Sequence, residues 1–180
     1  MNSSCSAVAG EPYHVARFPG NAPVEKRLRV VLSSVSSDSH TWNLVFIQLL
    51  LEEMGHEVIN LGACTPDDLI MHECVRFRPD VLVISSVNGH GHIDGERLML
   101  RLRAADALRD LPAIIGGKLG VHGAANVSHT GPLLDAGFNA VFEASAGTDA
   151  FERYVRQLSF AASADPLFNA TLAGAHDEIR

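Results

Sequence analysis

The chain has 180 residues, 47% hydrophobic and 6% aromatic, with 14 basic against 21 acidic side chains for a formal charge of −7. That length suits one domain with a full core plus appended sequence, and the acidic balance argues against nucleic acid as a partner, because phosphate binding needs a basic surface. No apolar run approaches the roughly 20 residues that cross a bilayer, and residues 1–27 hold no apolar stretch long enough for a secretory signal, so no membrane partner and a cytoplasmic location are expected. Cys5, Cys64 and Cys74 show no C-x-x-C spacing and are expected as reduced thiols. With nine histidines, position must decide which of them matter.

Residues 1–27 mix Ser, Gly, Pro and charges without a sustained period and read as a flexible extension. From Leu28 the chain alternates. Leu28 to Leu32 is a near-continuous β-branched run, as a strand covered on both faces requires. Trp42 to Met54 carries apolar residues at helical spacing and Gly55 supplies the stop. Val58 to Leu61 is a second strand. Thr65-Pro66-Asp67-Asp68 opens the next helix, with Thr65 as N-cap and Pro66 at its first position, and that helix fades at Arg78-Pro79. Val81 to Ile84, Ala113 to Ile115 and Ala140 to Phe142 complete five strands. Between and after them lie helices over Gly95 to Leu108, over Pro132 to Ala136, and from a Thr148 cap to about Leu158. Such alternation predicts an α/β fold, a doubly wound five-stranded parallel sheet of flavodoxin-like (Rossmann-like) type over residues 28–160, followed by a tail at 161–180. The loops at the carboxyl ends of the strands should then build the site.

Three of those loops are unusual: Ser33 to His40, Ser85 to Asp94, and Gly116 to Gly123. Asp38 stands two residues before His40, where its carboxylate can accept a hydrogen bond from one ring nitrogen, fix the tautomer and raise the basicity of the other. The plainer alternative makes Asp38 a helix cap and His40 a surface residue. After the third strand, the Ser85 and Ser86 hydroxyls can bond to a heterocycle, and small residues let a large ligand approach the backbone. Gly116-Gly117 removes side chains at the next position along the sheet edge. Neither G-x-G-x-x-G after the first strand nor a P-loop is present, which disfavours ordinary dinucleotide or triphosphate binding. A phosphorylated receiver domain is disfavoured too, because it needs an acidic cluster after the first strand and an aspartate near Ser85.

Taken together, Asp38-x-His40, Ser85-x-Val87 and Gly116-Gly117, in that order on this fold, closely resemble the cobalamin-binding domain, whose signature is D-x-H-x-x-G, S-x-L and G-G. Within it the chain is most similar to the small subunits of glutamate (methylaspartate) mutase. Ser37-Asp38-Ser39-His40, Asn60-Leu61-Gly62, Ser85 to Asp94, Ile115-Gly116-Gly117 and Leu133 to Phe138 carry that likeness, which runs from about residue 28 to 158. The resemblance implies adenosylcobalamin bound with its base displaced. His40 would be the lower cobalt ligand, Asp38 its partner, Ser85 a contact of the base, and Gly116 and Gly117 the lining of the nucleotide slot. Ser37, Ser39, Thr41, Asn43, Val87, Asn88, Gly89 and Lys118 complete the expected cofactor site.

The resemblance further implies a separate barrel-type catalytic subunit, a heterotetramer of two small and two large chains, and radical conversion of L-glutamate to L-threo-3-methylaspartate. A non-catalytic cobalamin carrier or sensor is the alternative. Two motif positions depart from the pattern: Asn43 stands where the family has glycine and Val87 where it has leucine. Outside the motifs, His90 and His92 are expected in a loop at the ligand edge, Cys64 as a half-buried thiol, and His56 and His72 as structural or solvated residues.

Overall fold

Strands β1 (Arg29–Ser33), β2 (Glu57–Asn60), β3 (Val81–Ser86), β4 (Ala113–Gly117) and β5 (Ala140–Glu143) pair in parallel in the order β2-β1-β3-β4-β5. They alternate with helices α1 (Trp42–Glu53), α2 (Asp67–Phe77), α3 (Gly91–Ala104), α4 (Val127–Ala136) and α5 (Asp149–Ala164). The computed structural model describes residues 25–120, 127–144 and 147–164. This is the doubly wound, flavodoxin-like sheet that the alternation predicts. Strand order reverses between β1 and β3, so the crevice for a ligand lies beyond their carboxyl ends, where the Asp38 and Ser85 loops emerge.

Because strand side chains alternate, each strand feeds two cores. Val31, Leu82, Ile84 and Ile115 face α2, α3 and α4, packing on Ile70, Leu98, Met99 and Leu133. Val30, Leu32, Val81, Val83 and Ile114 face α1 and α5, packing on Leu44, Leu51, Phe151 and Val155. Each such side chain removed from water contributes roughly 1.5–3 kcal/mol before conformational entropy is counted. The first described residues are already fastened: Lys26 exchanges backbone and side-chain bonds with Ser159 of α5, and its ammonium pairs with Asp80 at 3.2 Å.

The structure corrects several sequence-derived bounds. Helix α3 begins at Gly91, not Gly95, because Gly91 and Gly95 lie one above the other on the face that presses on the sheet. A Cβ on Gly91 would come 2.9 Å from the Ser86 Cβ, and one on Gly95 would come 2.6 Å from Ile115 Cδ1. These glycines signal close packing, not a loop, and His92 therefore belongs to a helix. Helix α4 starts five residues upstream of Pro132, which sits inside it. In α2 the N-cap is Pro66, without a side-chain bond. Thr65 instead turns its hydroxyl to the Gly62 carbonyl, 2.9 Å away.

Candidate functional site

The β1 chain leaves the sheet at Ser33, turns through Ser36 and Ser37, and delivers Asp38 fully buried beneath the loop. Every hydrogen bond that reaches the Asp38 carboxylate is a donation. Oδ1 accepts from the His40 backbone N–H at 3.0 Å and lies 2.7 Å from His40 Nδ1. Oδ2 accepts from the Val87 N–H at 2.7 Å and the Ser86 hydroxyl at 2.9 Å. Burial alone would raise the Asp38 pKa, but the backbone donors His40 and Val87 and the side chains of His40 and Ser86 outweigh it, holding the carboxyl below the ordinary carboxylate range. Asp38 is thus ionised at neutral pH and can only accept, so the proton between the two sits on His40 Nδ1, and Nε2 is the ring nitrogen left for another partner. The His40 side chain is 48% exposed, so this imidazole is a surface-facing donor backed by a buried anion.

Ser85 and Ser86, adjacent in β3, point to opposite faces of the sheet. Ser86 serves Asp38 on one face. On the other, Ser85 meets Asn43, which is 4% exposed in the first turn of α1. Asn43 Nδ2 donates to the Ser85 carbonyl at 3.1 Å and to the Ser85 hydroxyl oxygen at 2.9 Å. Since a carbonyl only accepts, this contact also fixes the orientation of the amide. Asn43 Oδ1 is buried with no hydrogen-bond partner among the described residues.

Both residues line a pocket of about 240 Å³ between α1, α5 and the sheet edge. Its apolar walls come from Trp42, Phe46, Val83, Ile114, Phe142 and Phe151, with Val87, Gly116 and Gly117 at the strand ends. The register of the sheet sets Ser85 beside Gly116 and Gly116 beside Phe142. A Cβ on Gly116 would approach the Phe142 carbonyl oxygen to 3.0 Å, whereas one on Gly117 would fall 2.1 Å from the Ser86 carbonyl oxygen. Gly117, at φ +114°, is therefore demanded by backbone packing against Ser86.

The remaining expected site residues sort by what they touch. Ser37 donates its hydroxyl to Asp94 and accepts from Asn88 Nδ2 at 2.9 Å. Asn88 Oδ1 accepts from the His90 N–H at 2.9 Å, and the Gly89 N–H donates to the Lys118 carbonyl at 3.2 Å. Together these bonds stitch the β1, β3 and β4 loops. The side chains of Ser39 and Thr41 are exposed at the mouth, and Lys118 is exposed beyond the strand end. The other candidates lie outside this network. Cys64, expected to be half-buried, is instead exposed, at φ 52°, and its N–H closes the loop on the Asp38 carbonyl at 2.8 Å. Cys74 is buried, which pushes its thiol up to about 12. Burial likewise depresses the pKa of His56, which accepts from the Leu28 N–H at 3.4 Å. His92 stacks on His129 with ring centroids 3.7 Å apart, and exposed His72 lies 3.1 Å from Glu73.

Sequence reasoning missed the role of Ser86 as an Asp38 donor, the Asn43–Ser85 pair and the aromatic wall of Phe46, Phe142 and Phe151. The Ser85-Ser86 doublet held part of that signal, since strand alternation must split the hydroxyls between two faces.

Comparison with known proteins bears on this arrangement. A family model described as B12 binding domain matches residues 28–129. The glutamate mutase sigma subunit 1 of Haloarcula marismortui is 32% identical over 116 residues, covering 64% of this chain and 75% of that subunit. The glutamate mutase sigma subunit of Halobacterium salinarum is 31% identical over 121 residues, covering 67% of this chain and 80% of that one. Among solved structures, a novel cobalamin-binding protein from Desulfitobacterium hafniense is 25% identical with a TM-score of 0.56, over 72% of this chain and 60% of that one. This chain thus spans less than two thirds of the length of that protein.

Proposed function

The chain belongs to the B12 binding domain family, and from that premise we propose that it holds adenosylcobalamin as the small subunit of a carbon-skeleton mutase, with His40 as lower cobalt ligand. The observation that carries this reading is the Asp38–His40 pair, a buried carboxylate holding an exposed imidazole in its Nδ1–H tautomer. The donor chemistry fits the group. The described residues contain no cluster of three or more metal-ligating side chains. A metal carried within an organic cofactor would need only one further side-chain nitrogen from the chain, and His40 would supply it. A cradle is present as well: the Ser85–Gly116–Phe142 row lines an apolar pocket, and a Cβ on Gly116 would press on Phe142 in its wall.

The cofactor, when bound, supplies a weak cobalt–carbon bond and with it radical chemistry. The chain itself orients His40, keeps Asp38 charged, and lines the slot with groups that shed water. Substrate contacts fall to a separate barrel-type subunit. The relatives named above are glutamate mutase sigma subunits, which favours glutamate as the substrate; on the proposed reading the product is L-threo-3-methylaspartate, and the complex has two small and two large chains in the cytoplasm. No helix among the described residues is long and apolar enough to cross a membrane.

The test is an EPR spectrum of the cobalt(II) corrinoid bound to the full chain. Imidazole nitrogen coupling is expected in the wild type and lost in His40→Ala, together with a weakening of affinity of about tenfold or more. A base-on spectrum in the wild type rejects His40 as ligand. Mixing with a barrel subunit then separates the mutase from the alternative of a carrier or sensor, which gives the same spectrum but no glutamate-dependent turnover.

A further inference from the structure

Helix α1 is apolar on every side, which a helix covered on one side only ordinarily is not. Leu44 and Leu51 are buried in the core, and Ile47 and Leu50 pack at its margin. Trp42, Val45, Phe46 and Leu49, spaced i, i+3, i+4 and i+7, form one stripe on the opposite face, and each is half or more exposed. The other exposed large apolar side chains stand no more than two to a helix, as Leu69 and Val75 do on α2 and Ile93 and Leu100 on α3. Scattered residues of that kind are ordinary, whereas a continuous row of four marks an interaction surface. Trp42 and Phe46 also line the pocket beside α5, and Val45 lines a hollow beside β2, so α1 stands as a ridge between two grooves.

The charges of α1 run against its own dipole. Its first turn holds no acid and its N-cap Thr41 makes no side-chain cap bond, while its C-terminal turn holds exposed Glu52 and Glu53 and no base. Glu53 lies on the line of the stripe, four residues beyond Leu49. We infer that α1 is a self-association surface, on which a second copy of this chain lays its own α1 antiparallel across a two-fold axis. Near the axis, Phe46 of each copy meets Leu49 of the other, and Glu53 of each comes to the uncapped, positive end of the other's α1. A stripe that is apolar in its middle, acidic at one end and electropositive at the other complements itself only when reversed; parallel pairing would set Glu53 against Glu53. The four side chains offer on the order of 400 Å² per copy, against the roughly 800 Å² per partner of a standard interface, so the pairing is weak and depends on concentration.

The experiment is sedimentation equilibrium of the full chain over loading concentrations from about 1 to 300 μM, the range in which a weak pair dissociates. The wild type is expected to pass from monomer to dimer across it. Leu49→Glu sets a carboxylate on each side of the axis and should weaken the dimer at least about tenfold. Glu53→Arg turns the charge at the partner's helix end from favourable to unfavourable and should weaken it about three- to tenfold. Leu100→Glu, equally exposed on α3, should change nothing. Leu49 and Glu53 are both exposed and lie outside the proposed cofactor site, so the urea midpoints of the monomers should match the wild type. If Leu49→Glu loses its fold, Glu53→Arg decides alone. A full chain that stays monomeric throughout overturns the inference, whether residues 1–24, residues 165–180 or a different protein then covers the stripe. So does a dimer that survives both α1 substitutions, or one that Leu100→Glu weakens as much. An affinity unchanged by Glu53→Arg alone overturns the antiparallel arrangement.

Discussion

At Asp38 each contact on the carboxylate is a donor, and a side chain that must only accept cannot be replaced by its amide. In Asp38→Asn one end of the group becomes an NH2, which would face either the Val87 N–H and Ser86 hydroxyl or the two His40 donors. Whichever way it turns, the new NH2 meets a backbone N–H, that of Val87 or of His40, which cannot become an acceptor. The expected loss is about 1–3 kcal/mol of unfolding free energy in urea. His40 also loses its tautomer lock, and corrinoid affinity should weaken about 10–100-fold, as for other partners behind a metal ligand. Unchanged stability and affinity would show that the carboxylate is not what organises the loop. The Asp38–His40 relation was legible in the sequence because both ends lie within three residues. The Ser86–Asp38 and Asn43–Ser85 bonds were not, because they join positions 48 and 42 residues apart. Those meet only once β1 and β3 are paired.

Glycines separate two kinds of legibility at the scale of elements. The strands were readable because Val, Ile and Leu runs between turn signals have few other uses. The starts of α3 and α4 were not, since Gly91, Gly95 and the Gly131-Pro132 step imitate loop or helix-start signals. In α3 the glycines instead let a helix sink onto the sheet, which only packing reveals. Two substitutions measure the difference. Gly95→Ala adds a methyl against Ile115 Cδ1, the far end of a flexible side chain, and it gains helix propensity, so its net cost should stay within about 1 kcal/mol. Gly117→Ala sets a methyl 2.1 Å from the Ser86 carbonyl oxygen at φ +114°, where neither partner can yield. That variant should lose more than about 3 kcal/mol or fail to fold. Thermal or urea midpoints rank the pair, and equal midpoints would contradict the backbone-contact account of the diglycine.

The whole molecule is tied together at the site by charges that come from distant parts of the chain. Arg97 of α3 grips Asp67 at the start of α2 with two bonds of 2.8 and 3.0 Å, pairs with Asp94, and reaches Ser36 in the β1 loop at 2.9 Å. Asp94 in turn accepts from Ser37, so the segment that ends in His40 is moored to two helices through one guanidinium. Bonding to Arg97 is the largest influence on Asp67 and lowers its pKa; burial opposes that, while the Arg97 charge and Arg101 add to it. A carboxyl depressed in the folded state stabilises the fold fully above its unfolded value, near 3.9, and that contribution disappears as pH falls through the lower folded value. Wild-type stability should therefore decline through the acid range below about pH 5, with Asp38, whose pKa is lowered too, adding to the slope. Asp67→Asn isolates one share of it. Arg97 is nearly half exposed, so solvent screening limits the loss at pH 7 to about 1 kcal/mol. Below the folded pKa both proteins carry a neutral group at position 67, and their urea stabilities should converge. Measured across pH 2.5 to 7, roughly the span over which carboxyls titrate, the two curves should close toward the acid end. Curves that run parallel would show that this ion pair, for all its reach between α2, α3 and the His40 loop, contributes nothing that depends on its charge.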